Sequence, residues 1–202
     1  IHFLMGHRPG QAAYNLYREL GAVPDKPFPD IDSYGRFVDE ASGAVLEVTG
    51  DLDKLARDLK ALSPDDAALI DDLIAGARAG RGMDAFGMMS LPPELMGPVD
   101  QLKMYWGMRK LFKYFSGKYS KPMAEYAQAA RSPLLRTILT NFFTPEVPVW
   151  FVFMLLALLA DHQMGLLPQG CLGFVESIAA RYQALGGQIT YKATVEEILV
   201  EN

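Results

Sequence analysis

Hydrophobic and polar positions in the first fifty residues follow both strand and helix periods. The opening Ile1–Leu4 and the segments 34–39 and 44–48 have the composition of strands, and residues 40–43 between the latter two predict a hairpin turn. Apolar residues over Gln11–Leu20 recur at helical spacing, which predicts a short amphipathic helix. This part of the chain is therefore expected to contain β-structure.

From Asp51 onward the apolar spacing is helical. Asp51 is expected to cap one helix, and Ser63 to cap the next, with Pro64 at its first position. Further helices are predicted over residues 99–115, 122–130, 133–143 and 149–162. The middle of the chain should thus be a helical subdomain.

The last 35 or so residues change character again. A glycine-containing turn over 168–173 leads into a helix that ends at Gly186 and Gly187, and strands are predicted over 188–192 and 194–200. The fold class predicted is α+β and predominantly helical, with a small β component. Because both ends fall within predicted strands, we expect the chain to be a piece of a longer protein.

Composition narrows the classes of function. The 202 residues are 50% hydrophobic and 21% charged with a net charge of −5, which excludes a disordered chain and disfavours a nucleic-acid partner. The single cysteine, Cys171, excludes a disulfide scaffold and a cysteine-based zinc site. His2, His7 and His162 lack partners at metal-ligand spacing, so no metal site is predicted.

The most apolar stretch, Val149–Ala160, has two interpretations. It is too short to span a membrane, which takes about 20 residues. It is either a helix buried on all sides or one wall of a hydrophobic tunnel, in which Trp150, Phe153 and Met154 would bind substrate. The clustered methionines likewise have two interpretations, since they either fill the core or form an adaptable apolar surface that contacts substrate. They are Met83, Met88, Met89, Met96, Met104 and Met108.

A basic stretch interleaved with aromatic residues lies over residues 103–121. It is either a solvated face above a buried aromatic face or an interfacial helix that docks on anionic lipid. The residues expected to contact the membrane in the second case are Lys103, Arg109, Lys110 and Lys113.

The final part of the chain carries an ordered set of motifs. They are P-x-G-C-x-x-F from Pro168, a helix, the glycines at 186 and 187, a strand, and A-T-V-E-E-I-L-V over 193–200. This order resembles the phytoene desaturase-like flavoproteins, within the amine-oxidase-like FAD-dependent oxidoreductases. Residues 131–136 and the opening strand with Gly6 are also similar to segments of that family. Cys171 departs from the pattern, since the family has a second glycine there.

The resemblance implies an FAD-dependent oxidoreductase that acts on a hydrophobic isoprenoid or polyene substrate. It implies a β-containing part over 1–50, a helical substrate subdomain over 51–167, and an α/β element over 168–202 that returns to an FAD-binding domain lying mostly outside this chain. The backbone of Val195 would contact the adenine end of FAD and Gly170 would lie against the cofactor, although no FAD is expected to bind this piece alone.

No catalytic side chain is predicted, because a flavin itself accepts the electrons. We expect the protein to be cytoplasmic, with docking at a membrane surface as the alternative described above. Two rival functions stay open, an amine-oxidase-like flavoenzyme and a non-catalytic helical module that binds lipid or a protein partner.

Overall fold

The structure is a computed structural model that describes residues 3–23, 27–84, 87, 93–109 and 111–200. The fold is α+β, as predicted, and about half of the chain is helical. In chain order the elements are β1 (Phe3–Met5), α1 (Ala12–Glu19), β2 (Ser33–Val38), β3 (Val45–Thr49), α2 (Leu52–Leu62), α3 (Ala67–Ala79), α4 (Pro98–Met108), α5 (Met123–Ala127), α6 (Pro133–Thr140), α7 (Val149–Ala160), β4 (Met164–Leu166) and α8 (Gly170–Ala184). Short 3₁₀ turns lie at Pro64–Asp66, Pro93–Leu95, Phe112–Phe115 and Gly117–Tyr119.

The two helix starts predicted from capping residues differ in outcome. Asp51 caps α2 as expected, since its carboxylate accepts the backbone N–H groups of Asp53 and Lys54 at 3.0 and 2.9 Å. Ser63 does not cap α3 through its side chain. Its hydroxyl donates to the Asp66 carboxylate at 2.6 Å, a 3₁₀ turn follows, and α3 begins only at Ala67.

Two small antiparallel sheets are present in the described part of the chain. The predicted hairpin is confirmed as β2–β3, with a register irregularity between Ser33 and Gly35. The opening strand β1 pairs with β4, so that Phe3 lies opposite Leu166. This second sheet brings the start of the chain beside the segment that follows α7.

Several predicted helices are shorter than expected. The segment predicted as one helix over 99–115 is α4 followed by the turn at Phe112–Phe115. Helix α5 ends at Ala127, and a bend leads to Ser132, whose hydroxyl accepts the Leu135 N–H and so caps α6. The helix predicted over 122–130 therefore ends three residues early, and residues 128 and 129 form a turn.

The strands predicted over 188–192 and 194–200 do not form. No strand is assigned over residues 187–200, and the large apolar side chains there are exposed, Val195 to 74%. A strand needs a partner for its backbone hydrogen bonds, and no described segment pairs with this one. The helix before it forms as predicted, as α8, although Val175 and Tyr182 on it and Leu185 directly after it are exposed.

The core is centred on α3 and α7. Helix α7 is buried along most of its length and packs against α3, while α2, α5, α6 and the β2–β3 hairpin complete the same cluster of apolar side chains. No helix in the described ranges combines the length and the apolar character needed to cross a membrane.

Candidate functional site

An apolar pocket lies where α3, α7 and the turn at Phe112–Phe115 meet. The structure brings the three candidate substrate residues together there, since Trp150, Phe153 and Met154 all line it. The other lining residues are Gly76, Gly80, Met83, Leu111, Tyr114 and Phe115. Helix α7 therefore supplies one wall, and the segment after α4 supplies another.

Gly76 of α3 and Gly80, directly after α3, allow α7 to come this close. A Cβ on Gly76 would overlap the ring of Phe153, and a Cβ on Gly80 would lie 3.1 Å from that of Ala157. Phe153 is thereby seated directly over the backbone of α3, and its side chain is buried. The position of the ring depends on residue 76 having no side chain.

Aromatic rings fix the wall opposite α3. The ring of Tyr114 meets that of Phe153 edge-on at 5.5 Å between centroids, and the rings of Phe115 and Trp150 are 5.4 Å apart. Tyr119 also contacts Phe153, with centroids 5.4 Å apart. Such edge and tilted arrangements are the favourable ones for aromatic pairs.

A carboxylate on α3 binds two tyrosines that lie outside the pocket lining. Asp72 accepts hydrogen bonds from the hydroxyls of Tyr119 and Tyr126 at 2.6 and 2.8 Å, and pairs with the Lys118 ammonium at 2.8 Å. Burial and the Asp72 hydrogen bond raise the pKa of Tyr119 to about 12, and raise that of Tyr126 further. Burial opposes ionisation of Asp72, but its hydrogen bonds outweigh it and lower the pKa.

The pocket offers hydrophobic contact and no acid–base chemistry. Its described lining contains no charged side chain, and its polar side-chain groups are limited to the Tyr114 hydroxyl and the Trp150 indole N–H. The volume is about 30 Å³, enough for a methyl-sized or water-sized group. Met83 and Met154, which are half-buried and flexible, are the lining residues best suited to repack around a larger ligand.

The candidate cofactor residues lie elsewhere. Gly170 lines a separate pocket of about 60 Å³ between the loop after α1 and the start of α8, and Val195 lies in the exposed segment after α8. Gly170 has a left-handed φ of 70°, and a Cβ there would meet nothing within 4 Å, so a ligand could approach its backbone closely. The two residues lie in different parts of the structure and do not together form a site.

The basic stretch falls on α4 and on the turns after it. Lys103 and Arg109 are exposed, and Lys113 lies in the Phe112–Phe115 turn, with its ammonium 4.4 Å from the centre of the Tyr114 ring. Lys110 lies outside the described residues, as do Met88 and Met89 of the methionine cluster.

A cluster of titratable side chains that sequence spacing did not reveal surrounds Asp30. Buried His7 contacts the Asp30 carboxylate at 2.9 Å through Nε2, Arg8 pairs with it, and His162 lies 3.9 Å away. Burial opposes ionisation of Asp30, but hydrogen bonds from Arg8 and His7 lower its pKa. The pairing of β1 with β4 brings these residues together, and β4 was not predicted.

The Asp30 cluster has no metal site among the described residues, in which no suitable group of three His, Cys, Asp or Glu side chains occurs. Its close packing is shown by Gly165, where a Cβ would lie 2.8 Å from the His7 ring. The cluster therefore serves to fasten the β1–β4 sheet to the loop that carries Asp30.

Comparisons of the whole chain with family models, curated proteins and solved structures give no match in any of the three.

Proposed function

We propose that the chain is the substrate-binding part of an FAD-dependent oxidoreductase that acts on a hydrophobic isoprenoid or polyene. The observation that carries the proposal is the convergence of Trp150, Phe153 and Met154 on one uncharged pocket. A ligand with few hydrogen-bonding groups is recognised mainly by apolar surface, which is what this lining supplies. The order of motifs at Pro168, Gly186 and residues 193–200 supports the same cofactor class.

In this proposal the chain binds and orients the substrate and excludes water from it. FAD, when bound, supplies the oxidant, and the backbones of Gly170 and Val195 are the points at which this chain would contact it. Phe153, Tyr114 and Trp150 provide flat surfaces against which a conjugated or isoprenoid chain can pack. No proton transfer is assigned to a residue of the pocket.

A long substrate requires the pocket to open. At about 30 Å³ it admits only the end of such a molecule. The wall formed by Leu111, Tyr114 and Phe115 is the part that would have to be displaced, because it belongs to a short turn segment, whereas Gly76 and Phe153 belong to the packed pair α3 and α7. Its displacement would break the ring contacts of Tyr114 with Phe153 and of Phe115 with Trp150. We expect substrate to enter between this wall and Trp150.

The pocket favours an apolar substrate over an amine. A buried ammonium group needs a carboxylate or several hydrogen-bond acceptors to offset its lost hydration. The described lining has no carboxylate, and Asp72 is already committed to Lys118, Tyr119 and Tyr126. An amine-oxidase-like function is therefore the weaker of the two flavoenzyme alternatives.

Fluorescence of Trp150 tests the pocket directly. The chain has two tryptophans, so the W106F variant leaves Trp150 as the single reporter. Titration with a polyene alcohol should quench its emission saturably, and a primary amine of matched length should bind more weakly. In the same background M154E should weaken polyene binding by roughly tenfold or more, because the buried carboxylate has no partner.

The matched control is L185E, directly after α8, where the side chain is exposed and away from the pocket. It should leave the polyene affinity unchanged. Unsaturable quenching, tighter binding of the amine, or equal effects of the two glutamate substitutions would overturn the substrate assignment. The cofactor is tested separately, since a colourless full-length polypeptide containing this chain would contradict the flavoenzyme assignment.

A further inference from the structure

Helix α4 presents its apolar side to solvent. None of its residues is buried, which sets it apart from α2, α3 and α7. The apolar side chains that it exposes most are Val99 (63%), Leu102 (67%), Tyr105 (55%) and Trp106 (67%). At 3.6 residues per turn these four fall within about a third of the helix circumference.

The exposed face points away from the body of the protein. Met104 and Met108 are the half-buried residues of α4, and they lie on the side of the helix opposite Leu102 and Trp106. In a helix at a protein surface the apolar side normally faces the core. Here the stronger apolar and aromatic face is the outer one, so it is available to a further partner.

Unpaired positive charge surrounds this face. Lys103, Arg109 and Lys113 make no ion pair with any described residue, whereas Lys118 and Lys121 pair with Asp72 and Glu125. The Arg109 guanidinium lies 4.5 Å from the centre of the Trp106 ring, which places a cation at the edge of the exposed aromatic surface. Residues 101–124 contain no Asp or Glu, although the whole chain carries 24.

We propose that α4 docks in the plane of an anionic lipid bilayer, with Leu102 and Trp106 inserted and Lys103, Arg109 and Lys113 at the level of the headgroups. Tryptophan and tyrosine next to lysine and arginine are typical of helices at the membrane interface. The net charge of −5 would oppose binding to an anionic surface, so the basic residues must act locally, where α4 meets the lipid. This proposal stands independently of the oxidoreductase function.

Co-sedimentation with lipid vesicles tests the docking. The 202-residue chain should bind vesicles that contain phosphatidylglycerol and bind phosphatidylcholine vesicles much more weakly. The triple variant K103E/R109E/K113E should lose on the order of a hundredfold in affinity for anionic vesicles, since each basic residue near such a surface contributes roughly fivefold. L102S/W106S should lose roughly tenfold or more on either kind of vesicle.

Matched controls distinguish vesicle binding by this surface from nonspecific binding by other charged or apolar side chains. R36E/R57E/R181E reverses three exposed cations that make no ion pair with described residues, and L172S/Y182S removes two exposed apolar side chains from α8. Both variants should bind as the unmodified chain does. If they lose as much affinity as the α4 variants, the docking site is not α4.

Trp106 reports its own environment in the W150F variant. Its emission should shift to the blue on anionic vesicles and be quenched by brominated lipids. An unshifted spectrum with bound vesicles would overturn insertion of α4. Absence of vesicle binding, together with self-association that L102S/W106S abolishes, would identify a second copy of the chain as the partner and would also overturn the proposal.

Discussion

The buried carboxylate of Asp66 connects two turns that each link a pair of helices. It accepts the Ser63 hydroxyl at 2.6 Å and the backbone N–H groups of Arg131 and Ser132 at 2.7 and 3.0 Å. The turn between α2 and α3 is thereby joined to the turn between α5 and α6. Hydrogen bonds to a charged acceptor are stronger than neutral ones, so this residue should matter to stability more than its location in a turn suggests.

The D66N variant should therefore lower the free energy of unfolding by about 2–3 kcal/mol, because an amide cannot accept all three hydrogen bonds and leaves a buried donor unpaired. Chemical denaturation at neutral pH measures the difference. The matched control is D65N at the exposed neighbouring position, which should change the free energy by less than about 0.5 kcal/mol. Equal effects of the two substitutions would contradict the role of the buried carboxylate.

Asp66 should also contribute to the pH dependence of stability. Burial opposes its ionisation, but the Arg131 and Ser132 N–H groups and the Ser63 hydroxyl outweigh burial and lower its pKa. A depressed carboxyl pKa gives stability that is fully present above the pKa of the unfolded chain and lost as the pH falls through the folded value. The free energy of unfolding, measured by denaturation at a series of pH values from 7 downward, should fall less steeply for D66N than for the unmodified chain. Equal slopes for the two proteins would disprove the linkage.

At the scale of elements, the contact between α3 and α7 is set by Gly76. G76A should lower the free energy of unfolding by about 1–3 kcal/mol, because the added methyl group overlaps the Phe153 ring in a packed core. G107A on α4 is the control, since its Cβ would meet nothing within 4 Å and alanine favours a helix over glycine by up to about 1 kcal/mol. The two glycine-to-alanine changes should have opposite signs in thermal or chemical denaturation.

A double-mutant cycle locates the cause of the G76A effect. In an F153L background the ring is gone, so G76A should cost less than it does beside Phe153, and the difference measures the coupling of the two residues. If the cost is the same in both backgrounds, then the loss does not come from the ring. Because Phe153 also lines the pocket, G76A should likewise change the polyene affinity less in the F153L background than beside Phe153.

The elements that sequence alone predicts are those whose determinants are local. The capping carboxylate of Asp51 and the apolar stripe after it predict α2, and the uninterrupted apolar run predicts α7. Strand β4 was missed because the three residues Met164–Leu166 are too few to show an alternating pattern. Its existence depends on pairing with β1, which is far away in the sequence.

The pocket could be predicted only in part for the same reason. Trp150, Phe153 and Met154 stand out within an apolar helix, but their orientation toward one pocket follows from helical spacing together with the position of α3. Gly76 and Gly80 carry no local signal of their role, since nothing in the sequence around a glycine shows what it will pack against. The Asp30 cluster is likewise a product of tertiary pairing between β1 and β4.

At the scale of the whole molecule, burial is distributed unevenly between the middle of the chain and its C-terminal part. Helices α2, α3, α6 and α7 share one core, whereas no residue of α8 is buried. Helix α8 packs against α1 through the rings of Tyr17 and Phe174, whose centroids are 5.7 Å apart. The aliphatic part of Arg181 also contacts Gly21, just after α1. The pattern after α8 predicted strands that do not form. Such a pattern defines only which face of a strand would be apolar, and a strand forms only beside a neighbouring strand.

Amide hydrogen exchange should reveal this division. Local stability follows the number of buried apolar contacts around a segment, so peptides from α3 and α7 should exchange only by global unfolding, while peptides from α8 exchange much faster. Peptides over residues 187–200 should show almost no protection, because no strand or helix hydrogen bonds are assigned there. D66N and G76A should accelerate exchange in α3 and α7 and leave that of α8 unchanged. Equal protection of α8 and α7 would mean that α8 belongs to the same cooperative unit, and its exposed apolar face would then need a different explanation.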